Sequence, residues 1–187
     1  MSPQLRKFAL ATHLSFSVGW IGAVVAYLAL GIAAATSEDA QTIRGAWIAM
    51  ELTGWYVIVP LALASLLTGL VMALGTRWGL FRHYWVLFSF VLTLVAIAVL
   101  LAHMPSVSST ADVARQAEGA RLEALGGDLG HPGIGLGVLL VIQVLNVYKP
   151  RGMTRYGRRK QRLQGALPRR RQSDERPVPS PAGSGRG

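Results

Sequence analysis

The chain has no cysteine, and this absence excludes disulfides, thiolate metal sites and cysteine nucleophiles. Charge is scarce as well, because only 15% of its 187 residues are Asp, Glu, Lys or Arg, whereas soluble domains carry about 25%. No P-loop occurs, no HxxxH or HExxH zinc spacing occurs, and no GxGxxG turn follows a strand. The common soluble enzyme classes that depend on these motifs are therefore not indicated.

Apolar residues are abundant in place of charge, at 51% of the chain, and they occur in four long blocks. The blocks cover about residues 8–35, 46–74, 84–104 and 132–148. A membrane-spanning helix needs about 17–25 apolar residues. The first block exceeds the roughly 7–15 apolar residues of a signal peptide, which favours an uncleaved span. The sequence therefore predicts an all-α, multi-pass four-helix bundle in residues 1–148, with a short fourth span.

The third block shows the membrane pattern most clearly. His83 and His103 are 20 residues apart, which is roughly 30 Å along a helix, and no charged residue lies between them. The hydrocarbon core of a bilayer is also about 30 Å thick. We therefore predict one imidazole near each face and an end to this span near Pro105. A short surface helix is predicted over residues 111–125, and Pro60 is predicted to kink the second span.

Basic residues predict the orientation. Twelve of the nineteen Lys and Arg follow Val147. Others precede the first span, and Arg77 and Arg82 lie in the turn between the second and third spans. The opposite loops contain most of the acidic residues. By the positive-inside rule, both termini are predicted to be cytoplasmic. The tail at 149–187 is predicted to be disordered and to contact the lipid bilayer through anionic headgroups, with no nucleic acid as a partner.

Five ionisable side chains are candidates for a site. His13 and Glu51 lie within spans, where an ionisable group is costly, and the other three are histidines at the ends of spans. Imidazole binds haem iron, copper and zinc. One predicted grouping is a metal site of Glu51, His103 and His131 at the outer face. Another uses His13 and His83, with His103, as cofactor ligands for haem b. Interfacial histidines and a Glu51 that simply pairs with Arg44 remain the alternative interpretation.

Three segments resemble a family of small predicted bacterial integral membrane proteins of unknown function: HLSFSVGWIGAV, GTRWGLFRHYWVLFSFVLT and LLAHMP. More distantly, the chain resembles the four-helix fold of copper-resistance D-type proteins and membrane haem proteins. The resemblance implies the bacterial cytoplasmic membrane as the location. It also implies histidines on the inner face of the bundle, here His13 and His103.

The favoured functional hypothesis is a redox membrane protein that binds haem b, copper or zinc through histidine. One alternative is a small transporter that uses Glu51 as a proton-coupling carboxylate. Another is a non-catalytic subunit that packs through its Gly and Ala faces into a homo-oligomer or a membrane complex.

Overall fold

The computed structural model describes residues 2–75 and 83–148, together with Gly152, Thr154, Arg158 and Arg159. Its elements are α1 (Pro3–Thr36), α2 (Ala40–Thr53), a π-helical segment (Gly54–Ile58), α3 (Val59–Gly75), α4 (Tyr84–Gln116), α5 (Ala120–Glu123) and α6 (Gly130–Tyr148). Four helical rods are long and apolar enough to cross a membrane: α1, the continuous rod Ala40–Gly75, α4 and α6. The predicted all-α four-helix architecture is confirmed. The predictions for the turn at 76–82 and for most of the tail fall outside the described residues.

Local capping starts the first two helices. Ser2 accepts a hydrogen bond from the Leu5 backbone N–H, and Pro3 occupies the first turn, where its missing N–H is tolerated. Asp39 caps α2 by accepting hydrogen bonds from the side chain and backbone of Thr42 and from the Gln41 backbone. These bonds favour the carboxylate and lower the pKa of Asp39 below its ordinary value.

The second rod, Ala40–Gly75, changes from an α-helix to a π-helix just before Pro60, the residue predicted to kink it. The Val59 N–H bonds to the Gly54 carbonyl, five residues back, which makes Gly54–Ile58 a π-helical turn. Pro60 has no N–H, and in a regular α-helix its ring would press on the carbonyl of Tyr56. In membrane-spanning helices, local π adjustments satisfy the backbone groups that a proline frees.

The helix α4 does not end near Pro105 but continues to Gln116, so the predicted boundary and the predicted helix over 111–125 differ from the structure. The part of α4 that follows the proline is buried at three positions, Val107, Ala111 and Ala114. Val107 and Ala114 belong to the main core, and their packing there outweighs the one hydrogen bond that a proline removes. The first part of the predicted surface helix, to Gln116, belongs to α4, and the single turn α5 is the separate helix within the rest.

The two ends of the bundle differ in packing. We call the end that contains Pro3 and Tyr148 the terminal end, and the end that contains the 37–39 and 117–129 connections the loop end. The most deeply buried large side chains lie toward the loop end: Ile43, Met50, Met104, Val107 and Leu122. Toward the terminal end, α1, α3, α4 and α6 instead surround a cavity. The densest packing therefore lies at the loop end.

Candidate metal centre

Three polar side chains converge at the loop end. His103 Nε2 lies 2.6 Å from Asp128 Oδ2, and His131 Nδ1 lies 3.5 Å from Asp128 Oδ1. The two imidazole rings stack, with centroids 3.7 Å apart and planes inclined by 17°. One ligand atom from each of the three residues lies within 4.8 Å of the other two. We call these three residues the HDH group.

Glycine brings the connection after α5 against α1 and so positions Asp128. A Cβ at Gly31 would lie 2.5 Å from the Asp128 backbone oxygen, and one at Gly127 would lie 3.0 Å from the Ala35 nitrogen. Gly126 has φ +57°, in the left-handed region that favours glycine. The indole N–H of Trp47 donates to the Gly126 carbonyl at 3.0 Å. These contacts hold the carboxylate beside α1.

Close helix packing positions His103. Its neighbour Met104 is 1% exposed and packs over Gly54, where a Cβ would lie 2.5 Å from the Met104 Cε. This contact fixes the rotation of α4, because adjacent residues on a helix point about 100° apart. His131 comes from the first turn of α6, three residues after Asp128. The HDH group thus unites α4, α6 and the connection between them.

Burial differs across the HDH group. The side chains of Asp128 and His103 are 10% and 18% exposed, whereas that of His131 is 58% exposed. Tyr27 of α1 donates its hydroxyl proton to Asp128 Oδ2 at 3.3 Å. The carboxylate is therefore the enclosed centre of a hydrogen-bonded network, and His131 faces the exterior.

This arrangement can supply two imidazole nitrogens and one carboxylate oxygen to a single cation. Such a set of three protein ligands with an open fourth position is typical of catalytic and exchangeable zinc sites, and imidazole also suits copper. The set does not fit a haem with two axial histidines. Such an iron lies between its imidazoles, and rings 3.7 Å apart leave no space for the macrocycle.

Of the residues predicted for the outer metal site, the structure brings together His103 and His131 but pairs Glu51 elsewhere. Arg115 donates from Nη2 to Glu51 Oε2 and from Nη1 to Asp112 Oδ1, the latter at 2.6 Å. The continuation of α4 beyond its proline explains this pairing, because it carries Arg115 alongside α2.

The alternative partner of Glu51 is engaged elsewhere too. Arg44 donates from Nε to the Ala114 carbonyl at 3.0 Å and from Nη2 to the Ala117 carbonyl at 2.9 Å. It thereby satisfies carbonyl groups at the end of α4, where a cation also complements the helix dipole.

The other two predicted cofactor ligands lie toward the terminal end. His13 Nδ1 is 3.0 Å from Thr68 Oγ1, and His83 directly precedes α4. Along α1, His13 is 14 residues from Tyr27, which touches the HDH group, and this corresponds to about 21 Å. His13 and His103 therefore cannot bind the same ion.

Asp128 is not among the candidate site residues predicted from the sequence. A signal for it was present, since Asp128 and His131 are three residues apart at the start of an apolar block and are surrounded by Gly126, Gly127 and Gly130. Residues three apart share a helix face, and glycines permit a close return of the chain. Tyr27 has no such local signal, because its partner Asp128 lies 101 residues further along the chain.

Comparison with known proteins gives no match to any protein-family model, curated protein or solved structure. The resemblance of the first three spans to a family of small membrane proteins thus remains a prediction.

Proposed function

We propose that this chain is an integral membrane protein that binds a divalent transition-metal ion, Zn²⁺ or Cu²⁺, at its loop end. The observation that carries the proposal is the HDH group, in which His103, Asp128 and His131 offer three ligand atoms within 4.8 Å of one another. Two nitrogens and one oxygen form a donor set that both ions accept. Copper would support the redox role expected from the sequence, whereas zinc has no redox chemistry.

Small movements adapt the HDH group to an ion. Ligand atoms about 2.0–2.1 Å from zinc lie about 3.4 Å apart in a tetrahedron. The hydrogen-bonded atoms of His103 and Asp128 are closer than this, at 2.6 Å, so their contact would lengthen as the ion replaces the shared proton. The stacked rings would also turn toward the ion. The exposed side chain of His131 has the freedom to do so.

Tyr27 supports the site from the next layer of contacts. Its hydroxyl donates to Asp128 Oδ2, and such a bond fixes the orientation of a ligating carboxylate. The edge of the membrane also falls near this level. The shortest rod, α6, has 19 residues and is about 28 Å long, close to the hydrocarbon thickness, and it begins beside His131. An ion would therefore enter from the aqueous side at the loop end.

The pairing of Glu51 weighs against the proton-coupled transporter. That mechanism needs a carboxylate that is free to face a transport path, but the Glu51 carboxylate is engaged in an ion pair with the Arg115 guanidinium. A role as a subunit of a larger complex is compatible with metal binding.

The test is isothermal titration calorimetry of the purified full-length protein, with Zn²⁺ and Cu²⁺ titrated in separate experiments. We expect one ion per chain, and we expect H103A and D128N each to weaken binding by about 100-fold or more. Y27F should weaken it by about 10–100-fold, as is typical when a ligand loses its supporting hydrogen bond.

Two control variants separate the HDH group from the other candidates. E51Q and H13A alter ionisable residues outside the group, so both should bind the ions as the unaltered protein does. Binding that is lost in E51Q but retained in H103A would contradict the proposal. So would a protein that binds neither ion.

A further inference from the structure

A second feature, independent of the HDH group, lies at the terminal end. There α1, α3, α4 and α6 surround a cavity of about 810 Å³. Binding pockets for small molecules usually measure roughly 300–1,000 Å³. On α1 its lining extends from Arg6 to Ile21, a length of about 22 Å. The cavity is thus long as well as large, and it follows the direction of the helices.

The walls are mostly apolar, and four of the polar side chains among them are already hydrogen-bonded within the protein. Ser17 and Ser65 bond to each other at 2.9 Å, and His13 bonds to Thr68. Thr93 donates to the Ser89 carbonyl at 2.8 Å. Because these bonds satisfy the groups internally, the walls suit an apolar molecule better than a column of water.

One buried hydroxyl is an exception. Ser89 lines the cavity, is only 6% exposed, and its Oγ is the one buried side-chain oxygen or nitrogen in the described part of the chain that lacks a hydrogen-bond partner. Buried polar groups nearly always have a partner, so an exception beside a cavity indicates a missing one. Less than 1 Å² of this oxygen is accessible, so the Ser89 hydroxyl would have to turn toward the cavity to bond to a polar atom of a molecule there.

The charged residues among the described lining residues of the cavity are both basic. Arg6 and Lys7 belong to its lining near the start of α1, both exposed, and no acidic residue is among the lining residues that the structure describes. Two cations at one end of an apolar cavity favour a ligand whose anionic group lies at that end.

We propose that the cavity binds an anionic amphiphile, a molecule whose long apolar body ends in a carboxylate or a phosphate. The apolar body lies between the four helices, and the anionic group lies at Arg6 and Lys7. In a phospholipid, an ester oxygen would be the partner of Ser89, which a fatty acid does not supply. A bilayer phospholipid and a free fatty acid share this chemistry. The experiment below distinguishes these two sources.

The full-length protein is reconstituted into nanodiscs of palmitoyl-oleoyl-phosphatidylcholine. One arm contains a minority of palmitoyl-oleoyl-phosphatidylglycerol, and the other contains oleate. Native mass spectrometry after release counts the amphiphiles that each chain retains. We expect one retained phosphatidylglycerol or one retained oleate, and the arm in which it appears identifies the source. No retention in either arm, or equal retention of phosphatidylcholine, would overturn the proposal.

Two pairs of variants test the position of the ligand. T93F fills the cavity, and T110F is its matched control. Thr110 lies on the same helix and makes the same bond to the carbonyl four residues back, but it does not line the cavity. T93F should lose the amphiphile and T110F should retain it. Equal retention by both would overturn the proposal.

The second pair concerns charge and changes only exposed side chains, so folding is not at risk. R6Q/K7Q removes the two cations of the cavity, and R158Q/R159Q removes two exposed tail cations that do not line it. We expect the affinity to fall by about 30-fold in the first variant and to stay unchanged in the second. An equal loss in both would show general attraction to the membrane surface and would overturn the proposal.

Discussion

At the scale of single residues, the backbone oxygen of Asp128 sets the geometry of the HDH group. It lies so close to Gly31 that a Cβ there would approach within 2.5 Å. Backbone atoms cannot turn aside as side chains can, so a larger residue must displace the connection. Any such displacement moves the Asp128 carboxylate relative to His103.

The variant G31A tests this contact. We expect it to lower the free energy of unfolding by about 1–3 kcal/mol, because overpacking shifts the backbone, and to weaken Zn²⁺ binding as well. Thermal unfolding and calorimetry measure the two effects. G22A, on the same helix but with no atom near its added Cβ, is the control, and it should neither lower the free energy of unfolding nor weaken Zn²⁺ binding. If G31A behaves like G22A, the close approach does not position the site.

At the scale of secondary-structure elements, α4 owes its full length to tertiary contacts. Beyond Pro105 it packs through Val107, Ala111 and Ala114, and Arg44 satisfies carbonyl groups at its end. The extension carries Arg115 to Glu51. Its outer turns thus depend on α2 for both packing and hydrogen bonding.

The variant R44Q should therefore loosen the last turn of α4. A hydrogen bond from a charged group contributes about 1.5–3 kcal/mol, so the amides of residues 113–117 should exchange faster with deuterium while the middle of α4 stays protected. Hydrogen–deuterium exchange with mass spectrometry measures this. R121Q removes an exposed arginine near the same end and should leave the exchange pattern unchanged. Unaltered exchange in R44Q would show that packing alone holds the turn.

The elements also show what the sequence could and could not predict. The apolar blocks predicted the four helices because the bilayer requires long uncharged segments. The end of α4 was not predictable, because the burial of Ala111 and Ala114 depends on a neighbouring helix. Histidines at the outer face were predicted from their places at the ends of spans. Asp128 was missed because its return to α1 depends on the close approach of Gly31 and Gly127.

At the scale of the whole molecule, the bundle has two unlike ends. The loop end is densely packed and contains the HDH group, whereas the terminal end surrounds the cavity. On α1 the cavity lining ends at Ile21, about 9 Å along the helix from Tyr27, which contacts the HDH group. An ion at one end and an amphiphile at the other would therefore not touch, and each can be tested alone.

The orientation of the molecule is also testable. Because basic residues flank the terminal end, alkaline phosphatase fused after Val147 should be inactive, and the same enzyme inserted beside Gly119 should be active. Fluorescent-protein fusions at the same positions should give the opposite pattern. Activity at both positions would mean that α6 does not cross the membrane, and reversed activities would mean an inverted protein.

The stacked rings of His103 and His131 have a spectroscopic consequence. With centroids 3.7 Å apart, the carbon-bound protons of each imidazole lie within the ring current of the other, which shifts their magnetic resonances upfield. Zn²⁺, which is diamagnetic, should move both sets of resonances downfield together when it turns the rings apart. The proton spectrum of these two side chains can therefore report the opening of the stack without any added label.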